Sequence, residues 1–281
     1  MHKNHFIAEI ESNLFESWKY LGRAPGIELL DEPEMLKFVS GIAFPLINSV
    51  LRSNIPGRNM PDKVPETLDF FRNRNLPMLW WKTPSTKPAH LGTELEKEGL
   101  ALAETVSGMG MDFGGFSGDT AGSSSTVILP VENTDELDTW LSIFEKSYEI
   151  PAFIIPFFRE AMRYAGLGRS SRFRHFNCFI NETPVACATI FIHEKTAGLY
   201  NVGTIPRARG KGAGTAISAH AISQAVDSGC RAMVLQATGM GEPVYRGLGF
   251  KKYCELEAYM MDNRRTKTVS LSDTSRNARI R

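Results

Sequence analysis

No close pair exists among the four cysteines, Cys178, Cys187, Cys230 and Cys254. That scatter fits neither a zinc site nor a disulfide scaffold and predicts reduced, mostly buried thiols. The histidines His2, His5, His90, His175, His193 and His220 form no HExxH and join no cysteine, so no metal is expected; His2 and His5 read as a frayed terminus. Charge of one sign is lacking as well. A formal net charge of +1 leaves no basic field for nucleic acid and no acidic field for cationic partners. Long apolar runs are missing too: the longest uncharged, apolar-looking run, Phe38 to Leu51, is too short to span a bilayer and contains Pro45 and Asn48, so no transmembrane helix is expected. Glu9 and Glu11 fall where a signal peptide needs an unbroken apolar segment, which predicts a cytoplasmic protein.

What is present is the makeup of a folded chain. Hydrophobic residues are 42% and charged residues 22% of the sequence, ordinary for a globular protein, and 281 residues suit about two domains. A Gly/Ser-rich stretch at 114–125 reads as a linker, and the basic tail at 263–281 has almost nothing to bury, so it is expected to be disordered. Before the linker, residues 1–113 read as a mixed α+β domain: a partly helical segment from Glu32 to Leu51, a helix near Pro65 to Asn75, a strand over Leu76 to Trp81, a helix from His90 to Glu98 and a segment from Leu100 to Thr105. After it, residues 126–262 read as strand (Thr126 to Val131), helix (Asp135 to Tyr148, capped by Asn133 or Thr134) and helix (Ala152 to Tyr164). A hairpin of Phe173 to Asn181 and Val185 to His193 and a strand from Gly198 to Ile205 follow. A helix (Gly212 to Ser228), a strand (Ala232 to Ala237), a short helix (Glu242 to Leu248) and a final strand (Lys252 to Met261) complete the set. The fold class is α+β with a mixed sheet.

The chemistry concentrates where the strand Leu199-Tyr200-Asn201-Val202-Gly203-Thr204-Ile205 ends at Pro206 and delivers Arg209-Gly210-Lys211-Gly212-Ala213-Gly214 to a helix start. Glycines there permit positive φ and close approach, and the unpaired amides at the helix's positive end attract anions. A diphosphate fits that description. No charged residue occurs from Gly212 to Val226, while Arg209 and Lys211 add positive charge. A Walker loop fails, because Ile205 stands where its first glycine belongs. A dinucleotide fingerprint fails at Thr215 or at Ile217, depending on where it is started. A plain glycine-capped turn is the remaining alternative on these residues alone.

These residues resemble the GNAT superfamily of N-acetyltransferases, whose acyl-CoA motif is Arg/Gln-x-x-Gly-x-Gly/Ala at a strand-to-helix junction. Arg209, Gly212 and Gly214 match it, and Val202, Thr204 and Pro206 match the approach strand. Downstream, Tyr245-Arg246-Gly247-Leu248-Gly249-Phe250 looks like the family's Tyr-x-x-x-Gly-Phe segment, whereas Thr238 to Gly241 lacks the Asn that many relatives carry. The resemblance implies two GNAT-like domains, each a mostly antiparallel sheet flanked by helices, the first degenerate and lacking the Arg-x-x-Gly-x-Gly motif, the second catalytic. It implies acetyl-CoA as cosubstrate, held at Val202 and Thr204 along the pantetheine arm and at Arg209, Gly210, Lys211, Gly212, Ala213, Gly214 and Thr215 around the diphosphate. Tyr245 would then protonate the departing thiolate, and the partner is an amine acceptor, small molecule or peptide, used by a monomer or homodimer.

Such chemistry has a cost at its nucleophile: an amine of pKa about 10.4 is short of its neutral form at pH 7 by roughly 4.6 kcal/mol. Glu149, His175, Glu182 and Glu194 are candidate bases, and Tyr148 and Trp81 candidate lining of the acceptor site. Two other readings remain open on the residues: a CoA-binding regulatory or interaction module without turnover, and a binder of another phosphorylated nucleotide.

Overall fold

The computed structural model describes residues 3–115 and 126–261. Most of the expected linker, from Phe116 on, and the whole basic tail lie outside the described residues. In chain order the elements are α1 (Lys3–Leu21), β1 (Glu28–Asp31), β2 (Met35–Val39), β3 (Asn48–Ser53), α2 (Met60–Arg72), β4 (Met78–Lys82), α3 (Leu91–Lys97), β5 (Ala101–Asp112), β6 (Thr126–Pro130), α4 (Thr134–Tyr148), α5 (Ile155–Ala165), β7 (Phe173–Ile180), β8 (Thr183–His193), β9 (Thr196–Thr204), α6 (Ala213–Asp227), β10 (Ala232–Ala237), α7 (Glu242–Gly247) and β11 (Lys251–Met261). Among the described residues no helix is long and apolar enough to cross a membrane. The four cysteines are free, with Cys178, Cys187 and Cys230 buried.

Two compact units form, one from Met1–Leu21 and Ser107–Tyr253, the other from Gly22–Val106 and Cys254–Arg281. This differs from a division at the Gly/Ser stretch: the N-terminal helix belongs with the later half of the chain, and the end of the last strand with the earlier half. The N-terminus is therefore not frayed at His5, which lies in α1. Phe6, Ile10 and Leu14 of that helix recur every four residues, and all three are buried.

In the unit of Gly22–Val106 and Cys254–Arg281 the strands run β1-β2-β3-β4-β11, antiparallel except for the parallel β3 and β4 pair. The helical reading of Glu32 to Leu51 is corrected here. Met35–Val39 is buried at every residue and pairs with both β1 and β3, so a strand covered on both sides mimicked a buried helix in sequence. Trp80, Phe71, Leu68, Met78 and Leu95 centre its core. Asn48 closes the loop before β3 by accepting from the Ser40 amide and donating to the carbonyls of Ile42 and Phe44.

The unit containing the glycine cluster has the order β5-β10-β9-β8-β7-β6, with only β9 and β10 parallel. Alternation along β7 sorts its two faces. His175 and Asn177 meet α4, through the Trp140 ring and the Glu136 carbonyl, whereas Phe176 meets His220 of α6. A capping box starts α4: Asn133 accepts from the Glu136 amide while the Glu136 carboxylate accepts from the Asn133 amide. The helix α1 is fixed by Asn13, which donates to the Thr196 carbonyl at 3.1 Å and accepts from the Tyr200 hydroxyl at 2.7 Å.

Candidate active site

Strands β9 and β10 are paired only at Thr196 with Ala232, Ala197 with Met233 and Gly198 with Val234. Beyond that point β10 continues against β5 as far as Ala237, and β9 continues against β8 as far as Thr204. From Leu199 and Leu235 onward, no ladder joins the two strands among the described residues. The main chain of β9 is also irregular there: Asn201 has a positive φ of 53° and the register with β8 shifts between Cys187 and Thr189. The result is a parallel pair that opens toward the glycine cluster, with one edge of β9 uncovered.

At the open end the chain makes a short 3₁₀ turn over Pro206–Ala208, leaves it at Arg209 in an extended conformation and turns through Gly210 and Gly212 into α6. Gly210 and Gly212 have φ of 75° and 81°, a region that L side chains rarely adopt, and a methyl group at either would meet nothing within 4 Å. The first amide of α6 with a backbone acceptor is that of Ala216, bonded to the Gly212 carbonyl. Among the described residues the amides of Gly210, Lys211, Gly212, Ala213, Gly214 and Thr215 find no backbone acceptor. Gly210, Lys211, Gly212 and Thr215 are exposed, Gly214 is half-buried and Ala213 is buried. Gly214 sits close to the end of β9, since a Cβ there would stand 3.3 Å from Thr204 Oγ1. This is an outward-facing set of N–H donors at the positive end of a 15-residue helix, the elementary form of an anion site.

The two cations of the motif differ in what they do. Lys211 has no ion-pair partner among the described residues. Arg209 directs its guanidinium at main-chain oxygens: Nε donates to the Thr204 carbonyl at 3.2 Å and an Nη donates to the Ser147 carbonyl at 2.9 Å.

Tyr245 lies in α7, its ring 5.9 Å from that of Phe250 at 71°. Burial raises its phenol well above the ordinary tyrosine value, so it stays protonated at neutral pH, the form a proton donor needs. The start of α7 is pinned by Glu242, which accepts from the Ser107 hydroxyl at 2.6 Å and from Arg246 Nε at 2.8 Å; these contacts hold its carboxyl below the usual range. Tyr148, at the end of α4, donates to the Val202 carbonyl at 2.8 Å. Although 43% of Tyr148 is exposed, burial around the phenol raises its pKa, and the neighbouring Tyr245 and Cys187 raise it further. The Tyr148 hydroxyl thus lies at the uncovered part of β9.

The base candidates separate. His175 is buried, its Nδ1 2.8 Å from Thr189 Oγ1, and burial lowers its pKa to about 3; it is a neutral core residue. Glu182 occupies the exposed tip of the β7 and β8 hairpin, and Glu194 the turn between β8 and β9, at the opposite end of β9 from the cradle. Only Glu149, the exposed residue that ends α4 in a left-handed conformation, adjoins Tyr148. Trp81 lies in β4, in the other unit. A hollow of about 360 Å³ lined by Glu145, Ala152, Ile155, Pro156, Arg159 and Glu160 shares no residue with the cradle. The opening between β9 and β10, which motif reading missed, marks the site better than volume does; the positive φ of Asn201 left no legible trace beyond an Asn in a strand.

Residues 137–250 match the acetyltransferase (GNAT) family, an interval that contains the cradle, Tyr148 and Tyr245. No curated protein matches the chain. Among solved structures, a GCN5-related N-acetyltransferase from Kribbella flavida is 16% identical over 90% of this chain and 94% of its own, with a TM-score of 0.70. A tandem GNAT protein from the clavulanic acid biosynthesis pathway is 10% identical over 88% of this chain and 87% of its own, with a TM-score of 0.59. A GCN5-related N-acetyltransferase from Sphaerobacter thermophilus is 12% identical over 83% and 82%, with a TM-score of 0.58. At these identities the likeness establishes the fold, and it extends over both units. The fold is α+β in the GNAT arrangement, and residues 137–250 match the GNAT acetyltransferase family.

Proposed function

We propose that the unit containing the cradle transfers an acetyl group from acetyl-CoA to a primary amine by direct attack on the thioester, with catalysis confined to residues 126–262 and to the elements that pack on them. The observation that carries this reading is the row of unpaired amides from Gly210 to Thr215 at the mouth of the opening between β9 and β10. The fit is chemical and steric: a diphosphate needs several N–H donors, and the open space around Gly210 and Gly212 admits it.

Acetyl-CoA supplies the thioester. The amides of Gly210, Lys211, Gly212, Ala213, Gly214 and Thr215 hold its diphosphate, with Lys211 as counter-charge, and the uncovered edge of β9 at Val202 and Thr204 receives the pantetheine arm. The amine nitrogen bonds to the carbonyl carbon, the carbon–sulfur bond breaks, and Tyr245 gives its proton to the sulfur. A free thiol has a pKa of about 8.5, so this step asks less of its acid than deprotonating the amine asks of its base. Glu149 is the candidate base or water-orienting group that stands beside Tyr148 and the opening. The unit of residues 22–106 lacks an Arg-x-x-Gly-x-Gly sequence and serves as a non-catalytic, degenerate GNAT-like domain.

Release of free thiol from acetyl-CoA across a panel of amino acids, polyamines, aminoglycosides and peptide amines tests the proposal, with thermal shifts by CoA, ATP and NAD alongside. Amine-dependent turnover is expected. Stabilisation by CoA without turnover on any amine would mark a CoA sensor instead, and a larger shift by ATP or NAD would overturn the cofactor assignment.

A further inference from the structure

The geometry assigns Arg209 to a positioning role: its guanidinium ties the C-terminal turn of α4 to the uncovered stretch of β9, and it is not the counter-charge of the diphosphate. The inference rests on the reading of the cradle as a CoA site and deepens it.

Three ties meet at one seam. Arg209 reaches Ser147 and Thr204, residues separated by 57 positions in sequence, through two of its five N–H donors. Ser147 is one residue from the end of α4, so its carbonyl is among those without an intrahelical partner, where a cation is favourable. The α4 end is pressed onto β9 at Gly203, where a Cβ would stand 2.7 Å from Ser147 Cβ and 3.1 Å from Tyr148 Cε2. One residue earlier, Tyr148 bonds the Val202 carbonyl. This stretch of β9 has β8 on one edge and no strand on the other, so α4, held by Arg209 and Tyr148, sets where that free edge lies and where the Tyr148 phenol stands on it. A planar fork meets the two carbonyls with two nitrogens at fixed spacing, a geometry that the single nitrogen of a lysine does not reproduce.

The experiment measures CoA affinity by calorimetry at low and high salt for the wild type, Arg209→Lys, Arg209→Met, Tyr148→Phe and the Arg209→Met/Tyr148→Phe pair, with acetyl-CoA kinetics and amide hydrogen exchange of the ligand-free proteins. A positioning role predicts that Lys and Met weaken CoA alike, by about tenfold, mainly in KM, with the salt dependence of the wild type. It also predicts that Tyr148→Phe acts in the same direction and that the double variant loses less than the product of the singles. Retention of affinity by Lys, together with a shallower salt dependence in Met, would make Arg209 a phosphate contact and overturn the inference. If the wild type binds no CoA, the parent reading fails. Exchange still decides the strut: faster exchange at Val202 to Thr204 in both Arg209 variants supports it, and unchanged exchange refutes it.

Discussion

Replacing Gly212 separates the backbone requirement of the cradle from its electrostatics. Gly212 has φ of 81° and open space around its missing Cβ, so Gly212→Ala creates no clash and costs about 1–2 kcal/mol of stability from the left-handed conformation alone. Gly212→Glu bears the same backbone cost, and its carboxylate at the N-terminus of α6 offsets about 0.3–1 kcal/mol of it. The Glu variant should therefore be no less stable than the Ala variant. Toward a diphosphate the two diverge. At about 7 Å and an effective dielectric constant of about 40, each phosphate charge is repelled by about 1.2 kcal/mol, so two cost about 2.4 kcal/mol, or about fiftyfold in Kd relative to Ala. Raising ionic strength from about 0.05 to about 0.5 M shortens the Debye length from roughly 14 to roughly 4 Å and should close most of that gap. Calorimetric titration with CoA at both salt concentrations, beside urea unfolding of the free proteins, reads each quantity separately. Equal affinities for the Ala and Glu variants, or a difference that salt leaves untouched, would refute a diphosphate at these amides.

Three further outcomes are expected. Tyr245→Phe should lower turnover by about ten- to a hundredfold while leaving CoA affinity nearly unchanged; unchanged turnover across pH 6 to 9 would remove Tyr245 from the acid role. Asn13→Ala removes the acceptor of the Tyr200 hydroxyl and a donor to the Thr196 carbonyl and should cost about 2–3 kcal/mol in urea unfolding; a loss below about 0.5 kcal/mol would show that α1 is held by its apolar face alone. For His175, a free imidazole binds a proton near 6.5 but the folded one only near 3, so the unfolded state gains protons first as pH falls. Stability from this residue is complete above 6.5 and drops by about 1.4 kcal/mol per pH unit between about 6 and 4. His175→Gln should flatten that slope by one proton, and an unaltered slope would place the acid sensitivity elsewhere.

Local order alone determined much of this protein. Amphipathic spacing in Leu137, Trp140, Leu141 and Phe144, the cap at Asn133, and glycines at 210, 212 and 214 each act within a turn or two of chain, so α4, α6 and the cradle were legible from sequence. Phe6, Ile10 and Leu14 carried an equally readable signal for α1, but helical spacing does not say which unit a helix joins; Asn13, reaching Thr196 and Tyr200, decides that. The strands between Glu32 and Leu51 depended on pairing partners that periodicity does not encode when both faces are buried. The opening between β9 and β10, and the tie from Arg209 to the Ser147 carbonyl, belong to tertiary structure. Sequence specifies a side chain's charge and reach, whereas the end of α4, 62 residues from Arg209, comes within that reach only through the fold.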